Sequence, residues 1–366
     1  MKMKVAIVCD WLTTVGGAEK VLLAIHEMYP DAPIYTSKYD KRGIDWFNDA
    51  KVKTGWMQIF PTCMRRFLAP LRQLYFNHLD LSDYDLIISV TGAEAKSVKK
   101  GKAKHICYCH VPTQYYWQMY EDYLEQPGFG KLNPLARFGL RLFVRPLRRS
   151  DKKAAERPDC FVTISTYAAE QIKKYYNRDS YVVAPPVETE KFTYKASKKR
   201  IGYINFSRQV SWKRQDLIIK ACVEEKKYLT IIGEGPEHEE LVKTANGSKY
   251  VRFLPRMTTE ELNLELLHAK AFLFPSMEPF GIAPVEALSA GCPVIAYKEG
   301  GARDYVIDHK NGLFFNEQTA ESLRRAIRRF EKTDLDHSAI AKSAQKFNKD
   351  TFKQNLQKVI DEEMSK

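Results

Sequence analysis

Two glutamates with seven residues between them, Glu278 and Glu286, stand inside the segment 271–288, AFLFPSMEPFGIAPVEAL. Residues 271–274 form an apolar run suited to a strand buried on both faces, and Pro275 and Ser276 end it. Glu278 then falls in the connecting loop. The chain turns at residues 279–281 and is expected to enter a helix near Pro284, which has no N–H to leave unpaired, with Glu286 in the first turn. Such a turn aims the backbone N–H groups of Phe280, Gly281, Ile282 and Ala283 beyond the strand end, where the helix dipole favours an anion. The chemistry on offer is an anion site flanked by two carboxylates.

A second pair could meet that anion. Arg208 and Lys213 lie five positions apart in FSRQVSWKRQDL, after the first strand of the second half. Arg supplies a planar fork and Lys a mobile point charge, a combination that neutralises a diphosphate leaving group. Taken alone, the two read equally as exposed bases at a helix start. Gly16 and Gly17 follow the first strand in TTVGGAEK, which matches neither G-x-G-x-x-G nor G-x-x-x-x-G-K-[ST], so NAD binding and ATP hydrolysis are disfavoured. Adjacent glycines allow close approach of backbone to substrate, or simply a tight turn. His110 ends the strand at 106–109 beside Pro112, and suits a site as well as a structural role. Cys107, Cys109 and His110 resemble half a zinc site, but no second ligand pair has matching spacing, and alternation along a strand accounts for them. No metal site is expected. Asp83-Tyr84-Asp85 matches a D-x-D metal motif literally, and its place before the strand at residue 86 assigns it to a strand lead-in.

Alternating strands and helices must position these residues. Strands are expected at residues 4–9, 86–90, 105–109, 161–164 and 181–184, and a helix at 18–28, in a parallel doubly wound sheet. A polar, proline-bearing link at 183–192 precedes a second alternation. Its strands are 200–206, 228–232, 251–254, 271–274 and 293–296, and its helices are 214–222, 236–244, 258–268 and 284–290. The expected domains are 1–190, 191–346, and a helix at 347–366 that leaves the second domain and braces the first. Two doubly wound α/β domains would turn the carboxyl ends of both sheets toward a shared cleft.

The length of 366 residues favours two domains, and 44% hydrophobic with 28% charged residues describes a globular chain. No apolar run approaches the roughly 20 residues that cross a bilayer, and the N-terminal run has no cleavage-site pattern. The seven scattered cysteines suit free thiols in a reducing compartment. Nearly all of the net charge of +13 comes from two segments: residues 51–79 hold five bases and no acid, and residues 131–153 hold eight bases against Asp151. In the second, NPLARFGLRLFVRPLRR reads as a basic amphipathic helix bent or ended near Pro146. Arg65, Arg66, Arg72, Arg137, Arg141 and Arg145 therefore suggest an anionic membrane surface as a partner. No helix-turn-helix, zinc-finger or RNP-type motif points to nucleic acid.

With these residues in view, the sequence resembles the retaining glycosyltransferases of the GT-B fold in group 1 (family 4). The resemblance runs along nearly the whole chain through DWLTTVGGAEKVL, YCHVPTQYYW, FSRQVSWKRQDLI, IIGEGPEHEEL, EPFGIAPVEALSAGCPVIA and GGARDYV. It implies that Glu286 binds the ribose of a sugar nucleotide and that Glu278 faces the donor sugar, with His110 beside it. Phe280, Gly281 and Ile282 would present backbone groups, while Arg208, Lys213 and Gly17 grip the diphosphate. Phe206-Ser207-Arg208 departs from the glycine-rich start common in the family. The implied reaction is metal-independent transfer with retention and no other cofactor. Among relatives the resemblance points to bacterial O-antigen and exopolysaccharide mannosyltransferases, hence GDP-mannose, with base contacts near Arg256, a lipid-linked acceptor, and a place at the inner face of the plasma membrane. Competing classes are an epimerase or phosphorylase on a related fold, and a non-catalytic membrane or nucleic-acid binder. An epimerase needs a second pair of carboxylates facing the sugar, a phosphorylase needs a Schiff-base lysine, and a binder needs none of Glu278, Glu286, Arg208 and Lys213 together.

Overall fold

The computed structural model describes residues 3–62, 64, 68–125, 130, 133–196 and 199–366. Arg65 and Arg66 lie outside them. The chain forms two compact units, one of Met1–Pro185 with Phe352–Lys366 and one of Pro186–Thr351.

The first unit runs β1 (Val5–Cys9), α1 (Gly17–Met28), β2 (Ile34–Thr36), β3 (Val52–Thr54), α2 (Ala69–His78), β4 (Leu86–Thr91), β5 (Lys104–Cys109), α3 (Tyr120–Glu125), α4 (Asn133–Ala154), β6 (Cys160–Thr163), α5 (Thr166–Tyr176) and β7 (Tyr181–Val182). Its strands are all parallel, in the order β3-β2-β1-β4-β5-β6-β7. Every residue of β1 and β4 is buried, as expected of strands covered on both faces. The edge strands β2 and β3, three residues each, carry too little pattern to be read from sequence. Cys107 and Cys109 pack with Phe161 and Ile172 in one apolar cluster. Asp85 leads into β4, its N–H donating to the Lys4 carbonyl and its carboxylate accepting from the Lys4 N–H at 2.7 Å.

The second unit runs β8 (Tyr203–Phe206), α6 (Gln215–Glu224), β9 (Leu229–Ile232), α7 (His238–Ala245), β10 (Val251–Leu254), α8 (Thr259–His268), β11 (Ala271–Phe274), α9 (Ile282–Ser289), β12 (Val294–Tyr297), β13 (Gly312–Phe315), α10 (Ala320–Phe330) and α11 (His337–Ala344). Its six parallel strands take the order β10-β9-β8-β11-β12-β13. Thr258 and Glu261 form a capping box at α8. The last helix, α12 (Lys349–Ser365), starts in the second unit and completes the first. Phe352 meets the Tyr108 ring of β5 at 5.8 Å, Tyr29 Oη donates to Gln357, and Lys353 pairs with Glu27.

Two expectations for the basic segments need correction. Arg72 is not on the surface: it is buried, its guanidinium bonded to Glu94 at 2.9 Å and lying over Trp11. Burial alone would lower its pKa, but the Glu94 carboxylate more than offsets this and holds the charge. α4 does not end at Pro146 but runs on to Ala154, and two of its arginines turn inward. Arg137 donates to the carbonyls of Leu124 and Glu125, and Arg148 to that of Tyr116. Among the described residues, no helix is long and apolar enough to cross a membrane.

His105, fully buried in β5, holds its Nε2 2.8 Å from Ser89 Oγ, and burial pushes its pKa down to about 3 from an ordinary 6.5. The unfolded chain takes up this proton as pH falls below about 6.5 while the folded chain does not, so the stability held above that pH is lost on acidification. Urea unfolding should show a loss of about 2 kcal/mol from this residue between pH 6.5 and 5, and His105→Gln should flatten that part of the profile.

Candidate functional site

In the second sheet the strand order reverses between β8 and β11, the two central strands, and in doubly wound sheets ligands bind outside the carboxyl ends at such a point. The loop after β8 carries Arg208 and Lys213, and the loop after β11 carries Glu278. These loops are joined directly: Lys213 Nζ lies 2.6 Å from Glu278 Oε1, and Ser276 Oγ donates to the same oxygen at 2.8 Å. Both charged side chains are about one-fifth exposed, so the pair is sheltered but open to a ligand. The sequence reading gave Lys213 to a phosphate and Glu278 to a sugar, and missed that they bind each other.

Arg208 is exposed, its guanidinium 5.6 Å from the ring centre of Trp212, and among the described residues no carboxylate pairs with it. Between Lys213 and α6, Arg214 adopts a left-handed conformation, φ 50°, uncommon for a residue with a side chain. Its guanidinium is tied to Asp216 at 3.1 Å and to Gln318. Inside the loop, Gln215 donates to Asn205 Oδ1 and Ser207 Oγ, and Asn205 donates to the Leu273 carbonyl, which fixes the end of β8 against β11.

The turn into α9 is built from outside by a glycine pair. An added Cβ at Gly300 would stand 2.5 Å from the Glu278 carbonyl oxygen, and one at Gly301 only 2.4 Å from the Pro279 carbonyl oxygen. Gly301 N–H donates to the Glu278 carbonyl, and Tyr305 Oη donates to that of Phe280 at 2.8 Å. The Phe280 ring is buried against Tyr305 and Phe347, so this residue offers a ligand only its N–H. α9 starts two residues earlier than expected, at Ile282, with Gly281 as N-cap and no side-chain cap. Glu286 is therefore the fifth helical residue and half-buried. GGARDYV had marked a resemblance, but nothing in its spacing disclosed that it braces the Glu278 loop.

In the first unit the order reverses between β1 and β4. Gly16 is the N-cap of α1 and Gly17 its first residue, again without a side-chain cap. Asp10, at the end of β1 and absent from the sequence reading, is buried and fully engaged: its oxygens accept from Thr91 Oγ1 and from the N–H groups of Gly92 and Ala95. His110 follows β5 directly, its N–H held by the Thr91 carbonyl and its ring against Tyr108. Burial pushes its pKa down to about 4, so it is neutral at pH 7, and its enclosed Nε2 has no hydrogen-bond partner among the described residues. Among the described residues no three His, Cys, Asp or Glu side chains gather in metal-binding geometry.

Two doubly wound parallel units in one chain, with site residues at the reversal points, define the GT-B class of glycosyltransferase fold. Anabaena HepE, solved in complex with UDP and glucose, superposes with a TM-score of 0.67 over 98% of this chain and 99% of that one, a likeness of fold at 19% identity. The family model for glycosyl transferases group 1 matches residues 186–350, nearly the whole second unit. The uncharacterized glycosyltransferase YqgM of Bacillus subtilis (strain 168) is 27% identical over 175 residues, 45% of this chain and 49% of its own length, so the match spans about half of that relative. The alpha-1,3/1,6-mannosyltransferase ALG2 of Mus musculus is 23% identical over 94% of this chain and 93% of its own. Residues 186–350 thus match the group 1 glycosyltransferases.

The φ of +89° at Gly281, with Phe274 and Tyr305 atoms 2.7 and 2.9 Å from an added Cβ, makes Gly281→Ala strained and crowded. Chemical denaturation should find it destabilised by roughly 1–3 kcal/mol. Gly139→Ala, inside a helix with open space around it, should be neutral or stabilising by up to about 1 kcal/mol.

Proposed function

We propose that the protein transfers a hexose, mannose from GDP-mannose, to a lipid-linked glycan acceptor in cell-surface polysaccharide synthesis, with retention at the anomeric carbon and without a metal. The observation that carries this reading is the Lys213–Glu278 pair at the reversal point, beside the uncapped start of α9 and the exposed Arg208. A diphosphate entering there competes with Glu278 for Lys213. Once Lys213 turns to the phosphate, Glu278 is released to accept hydrogen bonds from hydroxyls of the donor sugar. Donor binding and arming of the sugar contact are then one exchange.

The bond from the anomeric carbon to the phosphate oxygen breaks, the bond to the acceptor oxygen forms on the same face, and the acceptor proton passes to the departing phosphate. Arg208 and Lys213 neutralise the charge that develops on the leaving group. Glu286 takes the ribose hydroxyls, with backbone N–H groups of Phe280 and Ile282 toward phosphate and sugar. In the first unit, Gly16 and Gly17 offer the start of α1, and neutral His110 a hydrogen-bonding group rather than a cation. The name of ALG2 supports mannose, whereas the UDP in HepE belongs to another protein of the fold. A lipid-linked acceptor and the basic segments support work at the inner face of the plasma membrane.

A panel of labelled GDP- and UDP-sugars tests the donor, and transfer from a UDP-sugar alone would reject GDP-mannose. Lys213→Ala should lower turnover by about 100-fold, the scale for one lost charge-stabilising donor. Glu278→Gln should tighten GDP binding, because Lys213 no longer has a competing partner, while lowering transfer; weaker GDP binding would count against the exchange. Separately, Glu286→Ala should weaken donor binding in calorimetry, and unchanged affinity would remove its ribose contact.

A further inference from the structure

Soluble helices ordinarily turn their large apolar residues inward, and α4 leaves four of its own exposed. Its inward side consists of Val144, Asp151 and Ala154, with Arg137 and Arg148 drawn toward the unit by backbone carbonyls, the latter also lying over the Trp117 and Tyr120 rings at 5.3 and 4.8 Å. The buried Asp151 accepts from Lys96, Thr113, Trp117 and Tyr176, which fixes the rotation of the helix about its axis. The outward side carries Leu135, Phe138, Leu142 and Phe143, exposed by 67%, 65%, 57% and 52%. Positions 135, 138 and 142 recur at helical spacing and form one stripe, which the exposed Arg145 and Arg149 continue along the axis, with the exposed Arg141 on its flank. Four large apolar side chains on one exposed face, bordered by cations and with no acid among residues 133–150, complement an anionic lipid surface: acyl chains for the stripe and phosphates for the arginines.

We propose that α4 lies in the plane of an anionic bilayer, with Leu135, Phe138, Leu142 and Phe143 inserted at the boundary of headgroups and acyl chains and Arg141, Arg145 and Arg149 on lipid phosphates. This deepens the membrane reading given above and rests on it. It replaces attraction by an arginine face with insertion of an apolar one, and it assigns Arg137 and Arg148 to holding the helix rather than to lipid. Pro146, on the exposed side, leaves the Leu142 carbonyl without its helical partner, where headgroups or water can reach it.

Sedimentation of the full chain with vesicles separates the possibilities. Wild type should bind phosphatidylglycerol–phosphatidylcholine vesicles and not phosphatidylcholine alone. Phe138→Ser with Leu142→Ser should weaken binding by at least about tenfold, as should Arg141→Glu with Arg145→Glu, without a fall in melting temperature. The fluorescence of a Phe138→Trp variant, which keeps the stripe apolar, should be quenched by brominated acyl chains. Loss of binding on charge reversal alone, with the serine variants unaffected and the Phe138→Trp variant unquenched, would overturn insertion and leave the membrane reading standing. Failure of wild type to bind either vesicle would overturn both. Concentration-dependent dimers abolished by the serine substitutions, in a protein that ignores vesicles, would show that a second copy covers the stripe and would overturn the inference.

Discussion

A parallel strand covered by helices on both faces can offer polar side chains to a ligand only where it ends. Both units are built this way, and their central strands are buried along their length. Chemistry is therefore confined to the loops at the carboxyl ends, and most sharply to the reversal points, where neighbouring loops diverge to opposite faces of the sheet. Gly16, Gly17 and His110 in one unit, and Arg208, Lys213 and Glu278 in the other, all follow from that restriction.

At the second reversal point a lysine and a glutamate satisfy one another. Lys213 and Glu278 neutralise each other across two loops, and Ser276 adds a third contact. Around them the backbone is held stiffly, by the glycine pair pressed against residues 278–280 and by the Tyr305 hydroxyl on the Phe280 carbonyl. A stiff loop carrying an exchangeable ion pair can trade one partner for another without rebuilding itself. This is the property that preorganised charge stabilisation demands.

Much of this was legible in the sequence, because buried parallel strands are continuous apolar runs and their ends are marked by Pro, Gly and charge. Residues 271–274 read as a strand, and Glu278 as a loop residue, on those grounds. What stayed hidden has a common physical origin in contacts between residues far apart in the chain. Lys213 reaches Glu278 across 65 positions, and the arginine that looked like surface charge, Arg72, meets Glu94 across 22. In α4 the pattern gave the helix but not which side faces in, since the burial of Asp151 and the capture of Arg137 and Arg148 depend on partners elsewhere. Three-residue strands such as β2 and β3 carry no period at all.

The last helix has a consequence for how the protein is made. Phe352 covers Tyr108 of β5, yet the whole second unit is encoded between them. A ribosome adding about 5–20 residues per second leaves that face of the first unit uncovered for on the order of ten seconds or more after β5 has emerged. The second unit, continuous in sequence, can finish folding first. The unit that begins the chain is thus the one completed last, and its maturation waits on the helix that closes it.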